Sequence, residues 1–205
     1  MKKTLKQILL ITIGQIIISA GVSLMLTANL GLDPLGVFHT GVGNTFGITF
    51  AKALFFENVI VIIVLFFLDR KYIDIATLLS MFLVSITTSF YLNLYQMILG
   101  TDLSMLVRYI CVVVAAAIVA FGYNFYIIPN RGIAPMDVVA EIIAEKGKLD
   151  FKKVKIATDL AFLVGGYLLG GSVGVATIIL AFLVGPFISF FRNILDKPLN
   201  DFIES

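Results

Sequence analysis

The apolar positions of this chain come in long, nearly unbroken runs. Six stretches qualify: 8–28, 51–68, 75–99, 107–128, 154–171 and 173–191. Roughly 20 such residues in a helix cover the ~30 Å of bilayer hydrocarbon. The runs are too long for the strands of a transmembrane barrel and lack their in–out alternation. A backbone in lipid must satisfy its own N–H and C=O groups, which leaves helices. The pattern therefore predicts an all-α, polytopic membrane protein with six spanning helices. The second run carries Glu57, and the fifth carries Lys155 and Asp159.

The pattern is also written twice. Asn29-Leu30-Gly31-Leu32-Asp33-Pro34 recurs as Asn130-Arg131-Gly132-Ile133-Ala134-Pro135, an offset of 101. Gly21 and Gly122, Val37 and Val138, Phe50 and Phe151, and Lys52 and Lys153 match at the same offset. One residue is then lost. At offset 100, Ile75-Ala76-Thr77-Leu78-Leu79 matches Val175-Ala176-Thr177-Ile178-Ile179, and Phe82-Leu83-Val84 matches Phe182-Leu183-Val184. A fixed internal period is the mark of a repeated structural unit. Repeat one covers about 8–99 and repeat two about 107–195, within a single membrane domain spanning 1–205. Three spans per half send the second half through the membrane the other way. The halves are then inverted-topology repeats, which in transporters meet at the substrate site.

Each half holds a segment too short to span, opened by the Asn-x-Gly-φ-x-Pro motif (φ apolar) with Gly31 and Pro34 in one copy and Gly132 and Pro135 in the other. Pro suits the first turn of a helix, where its missing N–H is not needed. Asp33 sits at the N-cap position, and Ala134 replaces it in the second copy. In the second copy Val138, Val139, Ile142 and Ile143 share one face, while Asp137, Glu141 and Glu145 share the other, and Gly147 offers a stop. The short helices either lie flat at the interface or dip into the protein as re-entrant elements lining a cavity.

Composition narrows the class. The chain is 60% hydrophobic and 14% charged, with a mean hydropathy of +1.04; a soluble domain carries about 25% charge. Soluble enzymes and nucleic-acid binders are excluded on that ground. The placement of the basic residues sets an orientation. With the N-terminus inside, Lys2, Lys3, Lys6, Arg70, Lys71, Arg131, the lysines of 146–155, Arg192 and Lys197 fall inside, and only Lys52 and Arg108 fall outside. The expected topology is N-in and C-in. A cleaved signal peptide fits poorly, because Ser19-Ala20-Gly21 makes a weak cleavage site and the first span has a counterpart in the fourth. One cysteine, Cys111, and one histidine, His39, leave no disulfide framework and no His- or Cys-based metal site. P-loop, nucleophile-elbow, zinc-protease and dinucleotide motifs are absent, so no enzyme activity, catalytic residue or cofactor is expected.

The run Asn29-Leu30-Gly31-Leu32-Asp33-Pro34-Leu35-Gly36-Val37-Phe38-His39-Thr40-Gly41, followed by Gly43 and Gly47 and echoed by Gly132-Ile133-Ala134-Pro135-Met136-Asp137, resembles the YczE/YyaS/YitT family of bacterial integral membrane proteins. The resemblance covers essentially the whole chain. It implies a multi-pass protein of the bacterial cytoplasmic membrane and assigns no substrate or catalytic residue.

An acid inside a span costs about 2.5–3.5 kcal/mol on insertion scales and is a functional candidate by default. Glu57 and Asn58 lie in the second span and Asp159 in the fifth, with Asn58 and Asp159 equivalent at offset 101. Either they bind a cation, a proton or a polar solute, or Asp159 simply pairs with Lys155 at i,i+4 spacing. His39 is either a titrating group or a solvated surface residue. Asn29 and Asn130 suit helix C-caps as well as binding. Gln15, Tyr123 and Asn124 are polar groups inside spans, and Thr87, Thr88 and Ser89 can bond their own backbone. Gly166, Gly170 and Gly174 read as close packing, and Gly185-Pro186 reads as a kink or break. Asp33 and Asp137 would repel an anion from the short-helix N-termini.

Together these readings point to a small-solute secondary transporter or permease with alternating access around a midplane polar site, proton coupling through an acid included. The binding set would be Glu57, Asn58, Asp159, His39, Gln15, Asn29, Asn130, Asp33 and Asp137. Its partners would be the lipid bilayer and a small polar solute, with no nucleic acid; a homo-oligomer is compatible with the pattern. A substrate-capturing subunit of a larger transport complex and a non-transporting scaffold or regulator are the alternatives.

Overall fold

A computed structural model describes the backbone of residues 2–68, 75–100, 102–129 and 135–205, and the side chains of 3–67, 82–100, 102–129 and 138–205. The described residues form eight helices and no strand: α1 Lys2–Ala28, α2 Pro34–Phe46, α3 Phe50–Leu68, α4 Ile75–Leu99, α5 Met105–Ile127, α6 Pro135–Gly147, α7 Phe151–Leu168 and α8 Val175–Glu204. Both short helices are 13 residues long and begin at the motif proline. The starts of α2 and α6, and of α3 and α7, differ by 101, while those of α4 and α8 differ by 100. These are the sequence offsets.

Local bonding follows the same arithmetic. Gly47 ends α2 in the left-handed conformation (φ 64°), and Lys148 does the same after α6 (φ 51°). The Ile48 N–H donates to the Gly43 carbonyl and the Leu149 N–H to the Ala144 carbonyl. Thr49 Oγ1 then accepts from the Lys52 N–H, as the Asp150 carboxylate does from the Lys153 N–H. The expected stop at Gly147 thus falls one residue later, at Lys148. A left-handed lysine is costly where glycine is not, which hid the position from sequence reading.

The core forms where α1 crosses α5 antiparallel. A Cβ at Gly14 would sit 2.8 Å from the Gly122 carbonyl oxygen, and one at Gly122 would sit 2.9 Å from that of Gly14. A Cβ at Gly21 would lie 3.0 Å from the Ala115 carbonyl oxygen. Residue 14 corresponds to 115 and 21 to 122, so the two contacts are the same contact seen from each half. Ala115, Ala116 and Ala120 are fully buried beside it. Small residues are what allow helix backbones to approach this closely. α4 packs on α1, and α8 packs on α5. Ser23 Oγ donates to the Thr88 carbonyl (2.9 Å), and Asn124 Nδ2 donates to the Ile188 carbonyl (3.2 Å). These pairs too are equivalent, at offsets 101 and 100.

The other four helices make a second group. α2 packs on α7 and α3, α6 packs on α7 and α3, and α3 also touches α4. α3 and α7 are thus bridged by the two short helices. Contacts climb α7 as they climb α2. Phe38 meets Phe162 and Gly166, Gly41 meets Gly166 and Leu169, and Asn44 Nδ2 bonds the Gly170 carbonyl (2.6 Å). α2 therefore runs alongside a long helix with Gly36, Val37, His39, Gly41 and Gly43 buried.

Among the described residues five helices are long and apolar enough to cross a membrane: α1, α3, α4, α5 and α8. α7 is not among them, because Lys152, Lys153, Lys155 and Asp159 crowd its first half. Of the kink or break expected at Gly185-Pro186, the break is absent. α8 runs as one 30-residue helix through Pro186 and Pro198. Beyond the apolar run, Leu199 and Ile203 bury against Leu10 and Ile128, so the extension is held by the ends of α1 and α5.

Candidate functional site

The loop between α1 and α2 is built to aim α2. Asn29 (φ 50°) ends α1 in the left-handed conformation and is exposed, so it acts as a cap. Arg108 reaches the Ala28 carbonyl left open at that helix end (3.3 Å). Gly31, at φ 105°, lets the chain press against Gly174, where the Ala176 N–H donates to the Leu30 carbonyl (2.9 Å). Asp33 then caps α2, accepting from the Gly36 N–H. Its half-buried carboxyl is pushed above the usual range by loss of solvent, against the opposing pull of His39, the Gly36 N–H and Lys155.

His39 is the centre of the polar group. It is 2% exposed, not solvated, and its Nε2 lies 3.6 Å from Glu57 Oε2. The imidazole stands edge-on to Phe50, with ring centroids 5.4 Å apart. Neither His39 Nε2 nor Glu57 Oε1 has a hydrogen-bond partner, although both are buried. Buried polar atoms are nearly always satisfied, so an unpartnered atom on each of two side chains that approach to 3.6 Å between α2 and α3 is unusual. On the other side of α2, Lys155 lies within electrostatic reach of Asp33 and bonds Asp159 Oδ1 at 2.6 Å. Asp33, His39, Glu57 and Lys155 are therefore one electrostatic group contributed by the α1–α2 loop, α2, α3 and α7. Phe38, Phe50 and Phe162 form its apolar surround.

The other sequence candidates add no unpartnered atom to this group. Asp159 is satisfied by Lys155 as the i,i+4 spacing suggested. Asn58, which is buried, turns its amide to the Leu54 carbonyl one turn back (3.0 Å). Gln15 is buried on α1, which packs on α4, α5 and α8 rather than on α2, so it belongs to the core. Asn130 and Gly132 lie outside the described residues, as do the side chains of Pro135 and Asp137. The pairing of His39 with Glu57 was not foreseen, because it depends on the angle at which the Gly47 turn folds α2 onto α3. Glu141 was placed on a polar face but has one buried, unpartnered oxygen. Among the described residues no group of His, Cys, Asp and Glu is arranged to hold a metal ion.

Among the described residues there are eight helices and no strand, and five of the helices are long and apolar enough to span a bilayer: this is a multi-pass helical membrane protein. More narrowly, residues 5–193 match the model of a family of unknown function, DUF6198, and the chain belongs to that family. It is similar to the uncharacterized membrane protein YczE of Bacillus subtilis, 26% identical over 86% of this chain and 81% of that one. It is similar as well to YyaS of the same organism, 24% identical over 90% and 92%. An uncharacterized protein of Haemophilus influenzae is 24% identical over 88% and 81%. No solved structure matches the chain.

Proposed function

We propose that this protein is a secondary transporter or permease for a small polar solute, with the His39–Glu57 pair at its working site. The observation that carries the reading is the pair itself: two buried, titratable side chains 3.6 Å apart, each with an unpartnered atom. A static bundle would gain by replacing them with apolar residues, since a buried polar group without a partner is costly. A carrier needs such groups, to take up a proton or solute and give it back. Histidine and carboxylate side chains together suit proton coupling.

The architecture supports alternating access through inverted repeats. The antiparallel α1–α5 crossing, the matched bonds of Ser23 and Asn124, and the shared helix offsets all fit an axis relating the halves. Six crossings follow if α7, flanked by α2 and α6, is the sixth, and the basic residues then favour both termini inside the bacterial cytoplasmic membrane. The moving parts would not be one repeat against the other, because the repeats interlock. The packing favours α2, α3, α6 and α7 moving as a group against α1, α4, α5 and α8.

Purified protein in liposomes, assayed against candidate solutes with and without a pH gradient, tests the reading. Glu57→Gln should abolish uptake, and His39→Gln should remove its dependence on the gradient. Asp159→Asn should reduce it less. Transport unaffected by Glu57→Gln combined with Asp159→Asn sinks the assignment.

A further inference from the structure

We infer that the groove between α6 and α7 binds one anionic phospholipid, its acyl chain in the groove and its headgroup at Lys148, Lys152 and Lys153. The groove holds about 350 Å³ and is lined by Ile143, Leu149, Val154, Ala157 and Ala161, with Thr158 and the stem of Lys153. Thr158 turns its hydroxyl back to the Lys155 carbonyl (2.9 Å), so the wall offers a solute little to bond. An apolar trough with a basic mouth matches a lipid tail and an anionic headgroup.

The first half of the chain shows why the groove exists. At offset 101, Ala157 and Ala161 correspond to Phe56 and Ile60, side chains that would fill the same space. Lys153 corresponds to Lys52, but Lys148 and Lys152 correspond to Gly47 and Ala51. The second half has thus both opened the trough and added cations at its mouth. Lys146, Lys148, Lys152 and Lys153 are all exposed around the α6–α7 turn. The acids nearby are Glu145 and Asp150, and Asp150 is engaged in capping α7. The balance of the turn is positive. A lysine stem lying along the apolar wall leaves its ammonium at the headgroup level.

Native mass spectrometry of the full chain in mixed micelles of phosphatidylglycerol and phosphatidylcholine tests this. One phosphatidylglycerol should be retained per chain in preference to phosphatidylcholine. Replacing Lys148, Lys152 and Lys153 together by Gln should lower that preference at least about tenfold. Ala157→Phe, the residue of the other half, should displace the lipid with all lysines in place. Equal retention of the two lipids overturns the proposal, as does full retention in a folded Ala157→Phe protein. Should that variant not fold, Ala161→Ile makes the same test, and the surface lysine variant decides it without touching the packing.

Discussion

The α1–α5 crossing and the His39–Glu57 pair are both buried, yet they stand in opposite relation to the sequence match at offset 101. The crossing is the same in both halves: Gly14 on Gly122 and Gly21 on Ala115 are one contact repeated. The polar pair exists once. Asp33, His39 and Glu57 correspond to Ala134, Ala140 and Thr158, and Ala140 is packed against Ala144 and Val154. What packs the long helices together is thus shared by the halves, and the buried His–Glu pair occurs in one of them. The physical reason is that a backbone-to-backbone crossing admits no side chain, whichever half supplies it. The polar pair costs burial energy and adds nothing to that crossing, so the packing does not require a second copy of it.

The sharpest way to break that contrast is at the crossing. Gly122→Leu places a side chain where even a Cβ would be 2.9 Å from the Gly14 carbonyl oxygen and 3.0 Å from Ile17 and Ile18. Neither backbone can yield without parting the helices. Overpacking of a core costs about 1–3 kcal/mol, more where backbone is struck, so folded, monodisperse protein should be lost. Gly185→Leu is the control, because nothing lies within 4 Å of a Cβ there. Size-exclusion profiles of the two variants decide it; equal profiles would mean that the crossing is not the core.

The next effect is smaller and tests the equivalence of the halves. Ser23→Ala and Asn124→Leu each remove a side-chain bond to the neighbouring long helix, at Thr88 and at Ile188. Such bonds in membrane proteins average ~0.6 kcal/mol and reach ~1.7. The two variants should therefore lose similar stability in reversible unfolding from mixed micelles. A difference larger than about 1 kcal/mol would show that the halves share geometry but not energetics.

Much of the framework was legible because its signals are local. Apolar run lengths marked the long helices, Pro34 and Pro135 marked the start of each short one, and the offset tied the halves together. Asp33 and Asn29 were readable as caps, and Lys155 with Asp159 as an i,i+4 pair. The misses share a different cause. The 175–204 helix was cut short at Arg192, where the apolar run ends, although Leu195, Leu199 and Ile203 continue a helical stripe. Whether α2 lies flat or dips in is not written within α2 itself, since burial of both its apolar and its His39 positions depends on α3 and α7. His39 stays open between a titrating and a solvated residue in the sequence because its partner comes from the next helix. Spacing within one element is written in the sequence, whereas the angle between elements is not.

The smallest effect asks on which side of the contrast Asp33 belongs. As a cap it serves the framework; as a carboxylate near His39 and Lys155 it belongs to the polar group. Its pKa is raised above 3.8, burial outweighing the pull of His39 and the Gly36 N–H. A group whose folded pKa is raised contributes most stability below its unfolded value and loses that contribution as pH climbs through the folded value. Asp33→Asn keeps a side chain that caps about as well and carries no charge at any pH. The variant should be at least as stable as the parent at pH 7. Its stability should also change less between pH 4 and pH 7. Thermal melts across that range check both points. A variant less stable than the parent at pH 7 would mean that His39 and Lys155 more than compensate the buried charge. Asp33 would then stabilise the fold through its charge, and the polar group would be partly framework itself.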